Sequence, residues 1–117
     1  MSRRVEKPWG HEEIWAETER YVGKVLCITQ GKRLSLQLHE KKDESIMVLS
    51  GRLRLELEND SGELEVLELG PRETRRIPTG RKHRFGAIED CELVEVSTPE
   101  LDDVVRIEDD YGRSRAE

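Results

Sequence analysis

The stretch Arg52-Leu53-Arg54-Leu55-Glu56-Leu57-Glu58 alternates strictly, and it constrains the fold more than any other feature of this 117-residue chain. A period of two puts three leucines on one face of an extended strand and four charges on the other. Asn59-Asp60-Ser61-Gly62 supplies turn chemistry, and Leu64, Val66, Leu67 and Leu69 form the returning strand. The step from Val66 to Leu67 breaks the alternation and predicts a β-bulge there. Further strands are expected at residues 21–29, 34–39, 45–49, 74–77 and 91–97. Pro8, Pro71, Pro78 and Pro99 all fall between these runs, where a missing amide costs no ladder bond. Turn signals recur roughly every 8 to 12 residues, the spacing of an all-β sandwich or barrel. Residues 101–106 are the exception and predict a short C-terminal helix. One domain, residues 1–117, is expected.

Composition bears on partners. Only 34% of residues are hydrophobic and 39% are charged, so the core is thin and the exterior heavily charged. A net charge of -6 argues against nucleic acid as the main partner, because phosphate contacts need a basic field. No window approaches the roughly 18 apolar residues of a spanning helix, and no apolar run follows Met-Ser-Arg-Arg. The expectation is a cytoplasmic protein with no membrane partner. Cys27 and Cys91 are read as small core hydrophobes rather than a disulfide.

The chain has three histidines, His11, His39 and His83. Gln37 and His39 are two apart on one strand, so both face away from the Leu34, Leu36 and Leu38 stripe. Glu44 opens the next strand, and a turn over residues 40–43 can fold it back beside His39. Pro78-Thr79-Gly80 makes a tight turn ahead of His83, which shares a face with Phe85. Two imidazoles, a carboxylate and an amide oxygen form a mixed N/O set suited to a divalent metal. His11 stands outside this set, and Trp9 and Trp15 are read as packing residues.

That spacing resembles the cupin family of small β-barrels with a metal in the mouth. Gly31, Gln37, His39, Glu44 and Gly51 match the first cupin motif, G-x5-H-x-H-x(3,4)-E-x6-G, with Gln37 in place of its first histidine. Pro78, Gly80 and His83 match the second, G-x5-P-x-G-x2-H-x3-N, while Arg72 and Ala87 replace its first glycine and last asparagine. The resemblance implies a cupin-type double-stranded β-helix, a jelly-roll barrel, with metal ligation at Gln37, His39, Glu44 and His83.

A narrower resemblance runs through Lys7-Pro8-Trp9-Gly10, the Leu34 to His39 segment, Ile77-Pro78-Thr79-Gly80-x-x-His83-Arg84, and residues 102–113. These look like the type II mannose-6-phosphate isomerase cupin, in which glutamine replacing that histidine is itself a family feature. The family often carries this domain behind a mannose-1-phosphate guanylyltransferase, which has no counterpart in these residues. Where the family has His-His-Arg-x-Glu-His-Trp, this chain has Glu40-Lys41-Lys42-Asp43-Glu44-Ser45-Ile46, so Lys42 stands in for the arginine.

The resemblance implies a metal-dependent isomerase of mannose 6-phosphate and fructose 6-phosphate. Zinc is the first expectation for the ion, with Mn, Co, Fe and Ni as alternatives. Lys42 or an unassigned carboxylate would move the proton between C2 and C1. Arg33, Arg75, Lys82, Arg84 and Arg106 are the candidate cations for the phosphate, and the family favours Arg106. For each cation taken singly, a solvated surface charge is the competing reading. The rival functions are a non-catalytic cupin that binds a sugar phosphate or nucleotide sugar, and a dioxygenase-like cupin, against which Gln37 counts. Cupins usually pair, so a homodimer is expected, with the leucine stripe as one candidate interface.

Overall fold

A computed structural model describes residues 2–113. Among them lie eleven strands and no helix, so no helix is long and apolar enough to cross a membrane. The strands are β1 (Arg3–Lys7), β2 (Gly10–Glu17), β3 (Val22–Ile28), β4 (Leu36–Leu38), β5 (Glu44–Ser50) and β6 (Leu53–Glu58). They continue as β7 (Leu64–Leu69), β8 (Thr74–Ile77), β9 (His83–Ala87), β10 (Cys91–Ser97) and β11 (Val105–Glu108).

These form two antiparallel sheets, a six-stranded one in the order β1-β2-β3-β10-β5-β8 and a five-stranded one in the order β11-β4-β9-β6-β7. The strict alternation of β6 survives intact: Leu53 and Leu55 are fully buried, and Arg54 between them is exposed. With Leu93, Val48, Leu69, Ile77 and Phe85, contributed by both sheets, they form one apolar core. β10 lies between β3 and β5 and carries the alternation Cys91, Leu93, Glu95, Ser97 on its buried face. Its two neighbours place Lys24 and Ile46 directly beside Glu95.

Three expectations are corrected here. No helix forms at residues 101–106: a turn at Leu101–Asp102 leads into β11, which pairs with β4 through Val105↔Leu38 and Arg106↔Gln37. Three β-branched residues in a row of four (Val104, Val105, Ile107) favour that extended pairing. Nor is there a bulge at Val66, because β6 and β7 pair without a slip from Leu53↔Leu69 to Glu58↔Leu64. The chain instead turns Leu67 and Leu69 inward and leaves Leu64 and Val66 exposed on the outer face. The third correction concerns the leucine stripe, which is split. Leu34 precedes β4 in irregular backbone and joins the core, leaving only Leu36 and Leu38 in alternation with Gln37.

Residues 3–17 also form a hairpin, β1–β2, where no strand is predicted. Its register runs from Arg3↔Ile14 to Lys7↔Gly10, and Trp9 at the turn is buried against the core. Gly10 is required there: at a φ of +149°, a Cβ would lie 2.0 Å from the Cys27 carbonyl oxygen. Trp15, by contrast, lies half-exposed over Gly23 on the outer face of the sheet, where its ring fills the space a Gly23 side chain would need.

Candidate metal centre

His39 immediately follows β4, Glu44 opens β5 and His83 opens β9, so the site gathers at the ends of three strands. Each is buried, and the Nε2 atoms of His39 and His83 lie 3.3 and 3.2 Å from Glu44 Oε1. The imidazole rings are 5.0 Å apart between centroids, and Phe85 backs His83 at 5.6 Å.

The protonation pattern follows from the other ring nitrogens. His39 Nδ1 lies 2.5 Å from the Asp103 carbonyl oxygen, and His83 Nδ1 lies 3.0 Å from the Arg81 carbonyl oxygen. A carbonyl only accepts, so both Nδ1 atoms carry a hydrogen, which leaves Nε2 as the ring atom each histidine turns toward Glu44 and could offer to a metal. Neither Nε2 nor either Glu44 oxygen has a hydrogen-bond partner. Three potential ligand atoms thus face one another across a gap that a shared cation would satisfy. Their spacing suits atoms that share one ion at about 2.0–2.2 Å each, which stand roughly 3.0–3.5 Å apart. The donor set therefore fits a divalent metal.

Asp103 holds the first of these ligands in place. Its carboxylate accepts the amides of Glu40, Lys41 and Lys42 at 3.0, 2.7 and 2.9 Å, while its carbonyl orients His39. Burial works against the charged form of Asp103, but those three amides outweigh it and keep the carboxyl below its ordinary value. Gln37 stands in register with His83, lines a cavity with His39 and Glu44, and accepts the Ser35 hydroxyl at 2.9 Å.

A row of buried charges runs on from Glu44. Lys42 Nζ lies 3.3 Å from Glu44 Oε2 and 3.2 Å from Glu95 Oε2, and Lys24 Nζ lies 3.8 Å from Glu95 and 3.4 Å from Glu12. The order Glu12–Lys24–Glu95–Lys42–Glu44 alternates in sign, and each member is at most 8% exposed. Desolvation disfavours the Lys42 ammonium, but Glu95 and Glu44 overcome it and hold the group protonated. Desolvation likewise opposes ionised Glu44, yet the Lys42 ammonium beside it favours the charged form, and its carboxyl lies well below the usual range. Glu95 goes the other way. Burial and the Glu44 charge push it up to about 7, against the pull of Lys42 and Lys24.

The cavity these groups line has a volume of about 90 Å³. Arg106 is buried and lines it, as do Lys42, Lys7 and Arg113. The other four predicted cations are placed elsewhere. Arg84 is one residue from His83, so strand parity turns it to the outer face, where it donates to the Glu108 carbonyl at 3.1 Å. Arg33 is exposed and forms a two-bond pair with Asp110, and Arg75 is exposed and donates to the Thr74 carbonyl. Lys82 is tied by its amide to Glu58.

Glu12, Lys24 and Glu95 escaped the sequence reading, although a signal was present. Lys24 shares its phase with Val22, Leu26 and Ile28, and Glu95 shares its phase with Cys91 and Leu93. A charge in phase with the apolar face of a strand is a charge turned inward.

Residues 1–109 match the family model described as "Mannose-6-phosphate isomerase C-terminal". Among curated relatives, the mannose-1-phosphate guanylyltransferase ManC of Salmonella typhimurium is 38% identical over 119 residues, covering 97% of this chain and 24% of its own length. The xanthan biosynthesis protein XanB of Xanthomonas campestris is 36% identical over 118 residues, with 96% and 24% covered. The chain thus spans about a quarter of the length of these relatives. Among solved structures, oxalate decarboxylase of B. subtilis superposes with a TM-score of 0.79 at 15% identity, over 91% of this chain and 30% of that one. KdgF of Halomonas sp. gives 0.74 at 24% identity, over 88% and 91%. Both are likenesses of fold, and the barrel is of the cupin type.

Proposed function

The chain belongs to the mannose-6-phosphate isomerase C-terminal family, and from that membership we propose a metal-dependent isomerase interconverting mannose 6-phosphate and fructose 6-phosphate. One observation carries the reading. Three buried ligand atoms with no hydrogen-bond partner converge beside a cavity walled by alternating carboxylates and ammonium groups.

His39, Glu44 and His83 would hold the ion, with Gln37 as the fourth protein ligand and zinc as its first identity. A bound ion supplies Lewis-acid polarisation of the sugar carbonyl. The proton shuttle falls to the chain. Lys42 is held protonated between two carboxylates, which suits it to donate a hydrogen bond to a developing oxyanion rather than to act as base. Glu95 is pushed up to about 7, the range in which a carboxylate exchanges a proton near neutrality, and it is the better candidate to carry the C2 proton to C1. A cavity of about 90 Å³ admits the carbonyl end of an open-chain sugar, leaving the phosphate toward the opening. Arg106 is the cation offered to it. The protein is taken to work in the cytoplasm as a homodimer.

A coupled assay for fructose 6-phosphate, run with added Zn, Mn or Co, tests this. Turnover that needs one of these ions supports the isomerase. No turnover with any of them, alongside tight mannose 6-phosphate binding, replaces it with a non-catalytic sugar-phosphate module.

A further inference from the structure

We propose that the outer face of the six-stranded sheet carries a second metal site, formed by His11, Glu13, Cys27 and Glu92 and suited to a borderline divalent ion such as Zn²⁺ or Co²⁺. The site is separate from the inner one. Its ligands alternate with Glu12, Leu26, Ile28, Cys91 and Leu93, which point the other way into the barrel.

Sheet register creates the cluster. His11 stands opposite Cys27 across β2–β3, and Glu92 stands opposite Cys27 across β3–β10. The three side chains therefore lie abreast on central strands, and Glu13, two residues from His11, joins them on the same face. The ligating atoms of His11, Glu13 and Cys27 all lie within 4.8 Å of one another. His11 Nε2 is 3.5 Å from Glu13 Oε1, and Cys27 Sγ is 3.8 Å from Glu92 Oε2. Bonds of about 2.0–2.3 Å to a tetrahedral ion place its ligands roughly 3.3–3.8 Å apart. Small rotations of side chains on a rigid sheet close the remainder.

The surroundings favour a cation. Ser50 donates to Glu92 Oε1 at 3.1 Å, which orients the carboxylate and leaves Oε2 toward the sulfur. Across the β1–β2 pair Glu6 faces His11 and Arg4 faces Glu13, and these two are bonded to each other, so the hairpin adds no net charge beside the cluster. Burial first, then Glu92 and Glu13, hold the Cys27 thiol protonated. An ion would reverse that by taking the thiolate as ligand. A His/Cys/carboxylate set selects zinc or cobalt over magnesium or calcium, whereas the inner site has no sulfur. The bound ion would clip β2, β3 and β10 together.

Cobalt titration of the metal-free chain tests the proposal, because a thiolate ligand gives a near-ultraviolet sulfur-to-cobalt charge-transfer band that histidine and carboxylate cannot. Two equivalents are expected, one of them accompanied by the band. Cys27→Ser should lose the band and one equivalent, and His11→Ala should weaken that equivalent roughly tenfold or more. His83→Ala should lose the other equivalent and keep the band, which separates this site from the inner one. A wild-type chain with no band, or a band that survives in Cys27→Ser, overturns the proposal.

Discussion

Replacing Lys42 with methionine probes the buried charge row at its centre. Lys42 Nζ lies 3.3 Å from Glu44 and 3.2 Å from Glu95, with all three groups at most 5% exposed. At an effective dielectric near 20, a contact of that length is worth roughly 5 kcal/mol before desolvation is counted. Stripping water from the ions offsets much of it, and breaking a buried pair costs about 3–5 kcal/mol. Methionine keeps most of the stem volume, so little of the loss comes from a cavity. Lys42→Met should therefore destabilise the metal-free protein by about 3–5 kcal/mol near pH 8, read by urea unfolding through tryptophan fluorescence. The deficit depends on pH. The Glu95 carboxyl is raised above its unfolded value of 4.5, to about 7, by burial and by Glu44. The folded state thus binds a proton that the unfolded chain releases, and Glu95 weakens folding progressively as pH rises through that window. Without the ammonium the value climbs further, so the variant's deficit should grow from about pH 5 to pH 8. Lys42→Met/Glu95→Gln should recover part of the loss. A deficit below about 1 kcal/mol, or one equal at both pH values, would refute the assignment of Lys42 as the neutralising group.

Three further outcomes are expected. Gln37→Ala and His39→Ala should each lose metal and activity together, measured by metal analysis of the purified protein beside the isomerase assay; full activity in a metal-free variant contradicts the mechanism. Arg106→Ala should raise KM for mannose 6-phosphate roughly tenfold, the equivalent of about 1.4 kcal/mol, while Arg75→Ala leaves it unchanged. Asp103→Asn should cost stability through the three amides that the carboxylate accepts. The Asp103 carboxyl is lowered on folding, so this difference is full above its unfolded value of 3.8 and is lost as pH falls through the folded one. A difference that grows on acidification would contradict it.

Much of the fold could be read from strand parity. The β6–β7 hairpin, β5, β8 and β10 lie where alternating runs and turn residues put them. The supposed bulge at Val66 shows the limit. Val66 and Leu64 look like core residues, but β7 is an edge strand and its outer face tolerates exposed apolar side chains. The tail at residues 101–106 misleads for a different reason. Residues 101–103 allow a helical start, but Val104, Val105 and Ile107 favour extended backbone and β4 supplies the edge it pairs with, setting Arg106 against Gln37. Arg84 was open to correction from sequence, since a neighbour of His83 on a strand must face the other way.

By itself the sequence determined the all-β class, because period-two patterns and turn residues act over a few positions, while its resemblance to the cupin motifs singled out His39, Glu44 and His83. It also carried the charges at positions 12, 24 and 95 in the apolar phase of their strands. That these three join Lys42 and Glu44 in one row was decided by tertiary structure alone. β10 inserts between β3 and β5, and that register brings Lys24, Glu95 and Glu44 within reach although they are dozens of residues apart. Local propensity sets which face a side chain takes; only the pairing of distant strands sets which charges meet there, since an ammonium left alone in that interior would be too costly to keep.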